Sequence, residues 1–170
     1  AYRIAYCKIN YPLAYYGAYF SIRADAFSYE LMCQGKEKLN YYMNDYKKRS
    51  DSLTNKEQDT LKDMKLVQEM YARGLEFMPI DIYKAKAREC QIIDGKIMPP
   101  LSSVEGLGDK ACEQVEEAAK HGPFTSLENF RNQAKVSKTN VDKMVELGIL
   151  TGLPETDQLT FDFFMAQSQV

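Results

Sequence analysis

The chain has 170 residues, 45% of them hydrophobic and 27% charged, with a formal net charge of −2. That length suits one domain or two small ones, and the apolar share is ordinary for a soluble globular protein. No run is long and apolar enough to span a membrane, no signal peptide is visible, and the overall basic charge of many nucleic-acid binders is missing, so any nucleic-acid contact must be local.

In chain order, a first helix carries Ile4, Ala5, Ile9 and several tyrosines up to Tyr11. It opens on Ala1 in mid-helix pattern, without Met and without a cap, and so reads as part of something longer. Pro12 suits the first turn of a second helix, with Leu13, Tyr16, Tyr19, Phe20 and Ile22 reaching to about Ala26. Aromatic stripes of this kind predict core, with a base-stacking platform as the alternative. A charged amphipathic helix follows from about Ser28 to Lys48, with Gly35 as a possible break. Its apolar side is Leu31, Met32, Leu39, Tyr42, Met43 and Tyr46. Arg49 to Asn55 reads as an exposed loop. Another helix, about Lys56 to Arg73, repeats Leu61, Met64, Val67, Met70 and Tyr71 at i, i+3, i+4 spacing, and Gly74 closes it.

The period changes after Leu75. Asp94-Gly95, between Gln91-Ile92-Ile93 and Lys96-Ile97-Met98, is a strong hairpin signal because Asp-Gly favours a type I′ turn. Lys84, Lys86, Arg88 and Lys96 make this region the most basic locally, either facing a phosphate backbone or simply solvated. Pro99-Pro100 is a stiff punctuation mark.

Leu101 to Ala111 is the most informative stretch. It reads as a short helix, a Gly106-Leu107-Gly108 turn and the start of a second helix, with Val104 and Leu107 as apolar anchors. Glycines let the backbone turn tightly. The first N–H groups of the next helix have no partner inside it, and together with the helix dipole they make a phosphate seat. The pattern resembles the helix-hairpin-helix motif, a backbone binder without sequence preference; a plain tight helical corner is the alternative. Thr125 with Glu128 fits a capping box for a short helix whose Phe124, Leu127 and Phe130 close a small core. Ser137 then caps a helix with Val141, Met144, Val145 and Leu147 on its apolar face and Gly148 at its end. Lys138 and Thr139 at its start would meet a second phosphate, although no Gly-x-Gly introduces it, and a packing helix is the other reading.

Cys7, Cys33, Cys90 and Cys112 are widely spaced and His121 stands alone, which argues against zinc and for free thiols in a cytosolic protein. At the end, Gln158-Leu159-Thr160-Phe161-Asp162-Phe163-Phe164 gathers a Gln, a Leu and three aromatics as a compact anchor set for a partner. The span from Leu153 to Gln158 would extend about 20 Å. The segment looks like the pentapeptide with which bacterial replication proteins grip the β sliding clamp; packing back on the domain is the alternative.

Taken together, the Tyr2–Leu13 segment (Tyr-Arg-Ile-Ala-Tyr-Cys-Lys-Ile-Asn-Tyr-Pro-Leu), the charged helices, the hairpin ending in Met98-Pro99-Pro100, the Glu105-Gly106-Leu107-Gly108 turn and the Gln-Leu-Thr-Phe tail resemble the C-terminal region of the PolC-type DNA polymerase III alpha subunit of Gram-positive bacteria. The resemblance implies a mainly α fold with a small β-hairpin. Residues 1–74 would be the helical end of a fingers domain. Residues 75–153 would be a duplex-binding domain with tandem helix-hairpin-helix motifs, and residues 154–170 a flexible tail. It implies DNA contacts at Ser103, Glu105, Gly106, Leu107, Gly108, Lys110, Ala111, Lys138 and Thr139, and clamp contacts at Gln158, Leu159, Thr160, Phe161, Asp162, Phe163 and Phe164. Thr160 and Phe161 stand where many clamp motifs have Ser or Asp followed by Leu.

The implied partners are primer-template duplex, the β clamp and the rest of the polymerase chain, in the cytoplasm. No strand-borne carboxylate pair is visible, so no catalytic or metal-ligating residue is assigned and no cofactor is expected in this stretch; Mg²⁺ would serve the parent enzyme's palm. Two other classes remain in view: the helix-hairpin-helix module of a DNA-repair enzyme, with DNA binding but no clamp binding, and a helical protein-interaction module with neither.

Overall fold

The computed structural model describes residues 1–24 and 26–157. Helix α1 (Tyr2–Asn10) runs into α2 (Pro12–Ile22), with Pro12 in its first turn, where the missing N–H costs nothing. The second helix ends at Ile22, a turn before the expected Ala26. The stretch read as one helix from Ser28 divides into α3 (Tyr29–Met32) and α4 (Lys36–Lys48). Gly35 makes the break at φ 102°, a conformation that other residues adopt only under strain. A short 3-10 turn over Ser50–Ser52 leads to α5 (Asn55–Ala72), whose start carries a reciprocal capping box between Thr54 and Glu57. At its end the Gly74 N–H donates to the Tyr71 carbonyl and the Leu75 N–H to that of Met70, a Schellman closure.

The aromatic prediction holds for α2 and fails for α1. Tyr16 and Phe20 are buried, whereas no residue of α1 is, and Tyr2 and Ile9 are 82% and 71% exposed. A nine-residue helix is marginal without tertiary support. Here it comes from α2 and from Lys8, whose Nζ lies 2.6 Å from Glu69 of α5. That carboxylate also accepts from the Tyr16 hydroxyl at 2.6 Å. The Lys8 and Tyr16 donors hold it below the usual carboxylate range.

Strands β1 (Gln91–Ile93) and β2 (Lys96–Met98) pair antiparallel with Ile92 opposite Ile97. Asp94 and Gly95 turn at φ 51° and 75°, as a type I′ turn requires. Residues 76–78 lie alongside β2, with the Met78 N–H donating to the Ile97 carbonyl at 2.8 Å. After the turn Leu101–Ser103 come α6 (Asp109–Ala119), α7 (Leu127–Ala134) and α8 (Lys138–Glu146). The structure is therefore mainly α with one small hairpin, as expected.

Packing runs continuously across the expected division at 74/75. Phe77 meets Phe20 and Tyr71 at ring distances of 5.6 and 6.0 Å. The Cys90 N–H donates to Ser21 Oγ at 2.8 Å. The expected capping box at Thr125 is displaced by one residue. The cap of α7 is Ser126, fully buried, with its hydroxyl accepting from the Asn129 N–H at 3.0 Å. Thr125 instead donates to Asp157 at 2.7 Å. The Leu127 and Glu128 N–H groups donate to the carbonyls of Pro154 and Glu155. Residues 154–157, read from sequence as the start of a flexible tail, are thus docked on α7. Ser126→Ala, by removing a buried cap, lowers unfolding free energy by about 1–2 kcal/mol in urea titration. Thr125→Ala has a smaller effect.

The cysteines make a second check. Burial pushes the Cys33 thiol well above its ordinary value and those of Cys90 and Cys112 up to about 11. Cys7 is exposed. The thiolate is the reactive form, so near pH 7.5 an alkylating reagent modifies Cys7 in the folded chain and the other three only on unfolding. Rapid labelling of all four would contradict this.

Candidate nucleic-acid interface

The hairpin is fastened from inside. Leu101, Val104 and Leu107 are buried, and the Leu107 N–H donates to the Val104 carbonyl at 3.2 Å, closing the turn. Cys112 lies in α6 with its Sγ 3.6 Å from the Leu107 carbonyl. Gly106 takes φ 87°, which is why this position is glycine. Gly108, the N-cap of α6, has ordinary extended dihedrals of −70° and 162°; here the missing side chain matters for space, and no atom lies within 4 Å of where a Cβ would stand. The outer surface is therefore Glu105, Gly106, Gly108 and Lys110, all exposed.

The start of α6 differs from that of α7. All three leading N–H groups of α7 are taken, two by carbonyls and one by Ser126. No side chain caps α6. Among the described residues no hydrogen bond engages the N–H groups of Asp109, Lys110 and Ala111, which stand in the first turn at the positive end of the helix dipole. Asp109 brings a carboxylate to the same turn. It is countered by Arg88, whose guanidinium sits 3.4 Å from Asp109 and 3.0 Å from Glu113.

The start of α8 lies beside the Gly106 turn. A Cβ on Gly106 would stand 3.8 Å from Asn140 Oδ1, in the first turn of α8. Ser137 caps α8 by accepting from the Asn140 N–H at 3.2 Å, as its sequence position suggests. This leaves the exposed Lys138 and Thr139 with their N–H groups at the opening of the helix. The Gly148 N–H donates to Val145 and the Ile149 N–H to Met144, closing the helix as α5 is closed.

Of the residues expected to meet DNA, Glu105, Gly106, Gly108, Lys110 and Ala111 cluster at the hairpin, and Lys138 and Thr139 sit at the adjoining helix start. Ser103 and Leu107 are turned inward. The Ser103 hydroxyl donates to the Pro100 carbonyl at 2.6 Å and the Leu107 side chain is part of the core. Asn140, half-buried between the two starts, was not singled out from sequence; its position in the turn capped by Ser137 was the available signal. The basic residues near β1 and β2 are mostly engaged with carboxylates: Lys86 with Glu89, Arg88 with Asp109 and Glu113, Lys96 with Glu76. These surface pairs contribute little to stability, but they satisfy the cations locally. Gln158, Leu159, Thr160, Phe161, Asp162, Phe163 and Phe164 lie outside the described residues. Among the described residues no three His, Cys, Asp or Glu side chains gather as a metal set, and no helix is long and apolar enough to cross a membrane.

Two adjoining helix starts, one opened by a Gly-x-Gly turn, define a helix-hairpin-helix protein. Residues 74–159 match the family model described as a helix-hairpin-helix motif, and the chain belongs to that family. Over 160 residues, 94% of its length, it is 37% identical to a DNA polymerase III of PolC type from Caldanaerobacter subterraneus subsp. tengcongensis and 39% identical to one from Clostridium perfringens. A PolC-type DNA polymerase III from Streptococcus pyogenes is 40% identical over 168 residues, 96% of the chain. The chain spans only 11–12% of the length of these relatives.

Proposed function

We propose that this chain is the part of a PolC-type replicative DNA polymerase that holds primer-template duplex by its phosphates, and that its Gln158–Phe164 segment tethers the enzyme to the β sliding clamp. The observation that carries the reading is the uncapped start of α6 behind Gly106 and Gly108, set beside the start of α8. Phosphate oxygens complete the unsatisfied N–H groups at both places, and Lys110 and Lys138 add charge. Side chains that read base edges are not needed, which suits an enzyme that must accept every sequence. Nucleotide transfer and its Mg²⁺ belong to the remaining length of such a chain.

Duplex affinity measured by fluorescence anisotropy tests this reading. With two lysines near phosphates, the log–log slope of affinity against salt is about −2. The Lys110→Ala, Lys138→Ala double variant flattens the slope while weak binding persists through the N–H groups. An unchanged slope would place the contacts elsewhere.

A further inference from the structure

Of the basic stretch near the strands, Lys86 and Lys96 meet carboxylates away from the hairpin, at Glu89 and Glu76, whereas Arg88 reaches the opening of α6. The backbone sets its place there. Ala85 and Ala87 are buried. The carbonyls of Lys86 and Ala87 accept from the N–H groups of Leu101 and Ser102, both at 2.9 Å, and the Ala87 N–H donates to Glu116 of α6 at 2.6 Å. Residues 86–87 are therefore fastened to both arms of the hairpin, and Arg88 follows directly. Asp109, the first residue of α6, and Glu113, one turn on, meet the guanidinium at 3.4 and 3.0 Å. Both contacts are made through Nη2. A guanidinium carries five donors in a planar fork that matches the oxygens of a phosphate, so these two contacts do not exhaust it.

We propose that Arg88 is a phosphate-binding residue of the α6 seat: Asp109 and Glu113 aim its guanidinium, and its remaining donors meet the phosphate held by the N–H groups of Asp109, Lys110 and Ala111. The proposal rests on the duplex reading above and adds to it a residue from outside the hairpin. Local charge supports it. Without Arg88, the first two turns of α6 would set Asp109 and Glu113 against Lys110 alone, and a phosphate would approach a net negative charge. Arginine also suits the place, because its fork can hold carboxylate and phosphate oxygens at once, which the point charge of a lysine does less well. Arg88 shares the phosphate already seated on α6, so two phosphates are still neutralised and the salt slope stays near about −2.

A mutant cycle read by fluorescence anisotropy with a labelled duplex tests the assignment. Arg88→Ala is made in the chain itself and in a chain carrying Asp109→Asn and Glu113→Gln, which removes both carboxylates that Arg88 meets. Duplex affinity falls about tenfold in both backgrounds, the size of one charge-assisted hydrogen bond, and Arg88→Gln gives the same loss. The unfolding midpoint moves by less than about 4 °C, because exposed ion pairs contribute little. Unchanged affinity in Arg88→Ala would overturn the proposal. So would a loss that vanishes when the carboxylates are gone, which would make Arg88 a screen for Asp109 and Glu113 and not a ligand. Gly108→Val, measured beside them, separates the two readings. Weaker binding in Gly108→Val with no effect of Arg88→Ala refutes the Arg88 assignment alone, whereas no effect of Gly108→Val refutes the seat on α6 itself.

Discussion

Replacing Gly108 by valine lowers duplex affinity about tenfold to a hundredfold, equivalent to about 1.4–2.7 kcal/mol, and barely changes the unfolding midpoint. The two effects separate because Gly108 has ordinary extended dihedrals and open space around its Cα. Valine is a poorer N-cap than glycine, which costs the fold under about 1 kcal/mol. Its methyl groups, however, stand where a phosphate must approach the N–H groups of Asp109, Lys110 and Ala111, and each hydrogen bond to a charged group contributes about 1.5–3 kcal/mol.

Gly106→Val behaves differently. At φ 87° valine is strained by at least about 1–2 kcal/mol, although its Cβ would meet Asn140 Oδ1 only at an ordinary contact distance of 3.8 Å. That variant loses stability together with affinity. Anisotropy and thermal melts on both variants distinguish a blocked phosphate seat from a damaged turn. Duplex affinity unchanged in Gly108→Val would remove the hairpin from the DNA contact.

Deleting residues 158–164 abolishes binding to the β clamp, raising the dissociation constant at least a hundredfold from the micromolar range, while duplex affinity stays the same. Burying Leu159 and one or two phenylalanine rings contributes about 1.5–3 kcal/mol each before ordering costs. A micromolar complex needs about 8 kcal/mol, so these few side chains and Gln158 account for nearly all of it. On the proposed reading a clamp contact of this size is modest alone, and its value is the raised local concentration of polymerase at the primer end. Residues 154–157, docked on α7, set the root of this segment close to the body of the protein. Titration of the clamp by calorimetry is the check. Clamp binding that survives the deletion would place the contact on another surface.

Local rules made much of the architecture legible. Asp94-Gly95, Gly74, Gly148 and the Ser137 cap each depend on one or two neighbouring residues, and each stands where the sequence put it. What failed depended on partners distant in sequence. Ser126 rather than Thr125 caps α7, while Thr125 and the first N–H groups of that helix bond to residues 154–157, contacts that no spacing encodes. Tyr2, Ile4 and Ile9 have the pattern of core residues, but among the described residues they stay exposed.

At the site, the Gly-x-Gly turn was plain, but the direction of its side chains was not. Leu107 faces inward because Val104 and Leu101 pull it into the core, and Ser103 turns back to Pro100. The basic stretch near the strands could be counted but not paired, since its carboxylates come from Glu76, Asp109 and Glu113 in other elements. Asn140 became visible only when α8 was seen to start beside Gly106.

The central claim, that phosphates seat on the openings of α6 and α8, is tested most directly by amide chemical shifts of the ¹⁵N-labelled chain titrated with two duplexes of unrelated sequence. The largest shifts are expected at residues 106–111 and 138–140, with the same pattern for both duplexes. Shifts centred on Lys84 to Lys96, or a pattern that changes with DNA sequence, would contradict it.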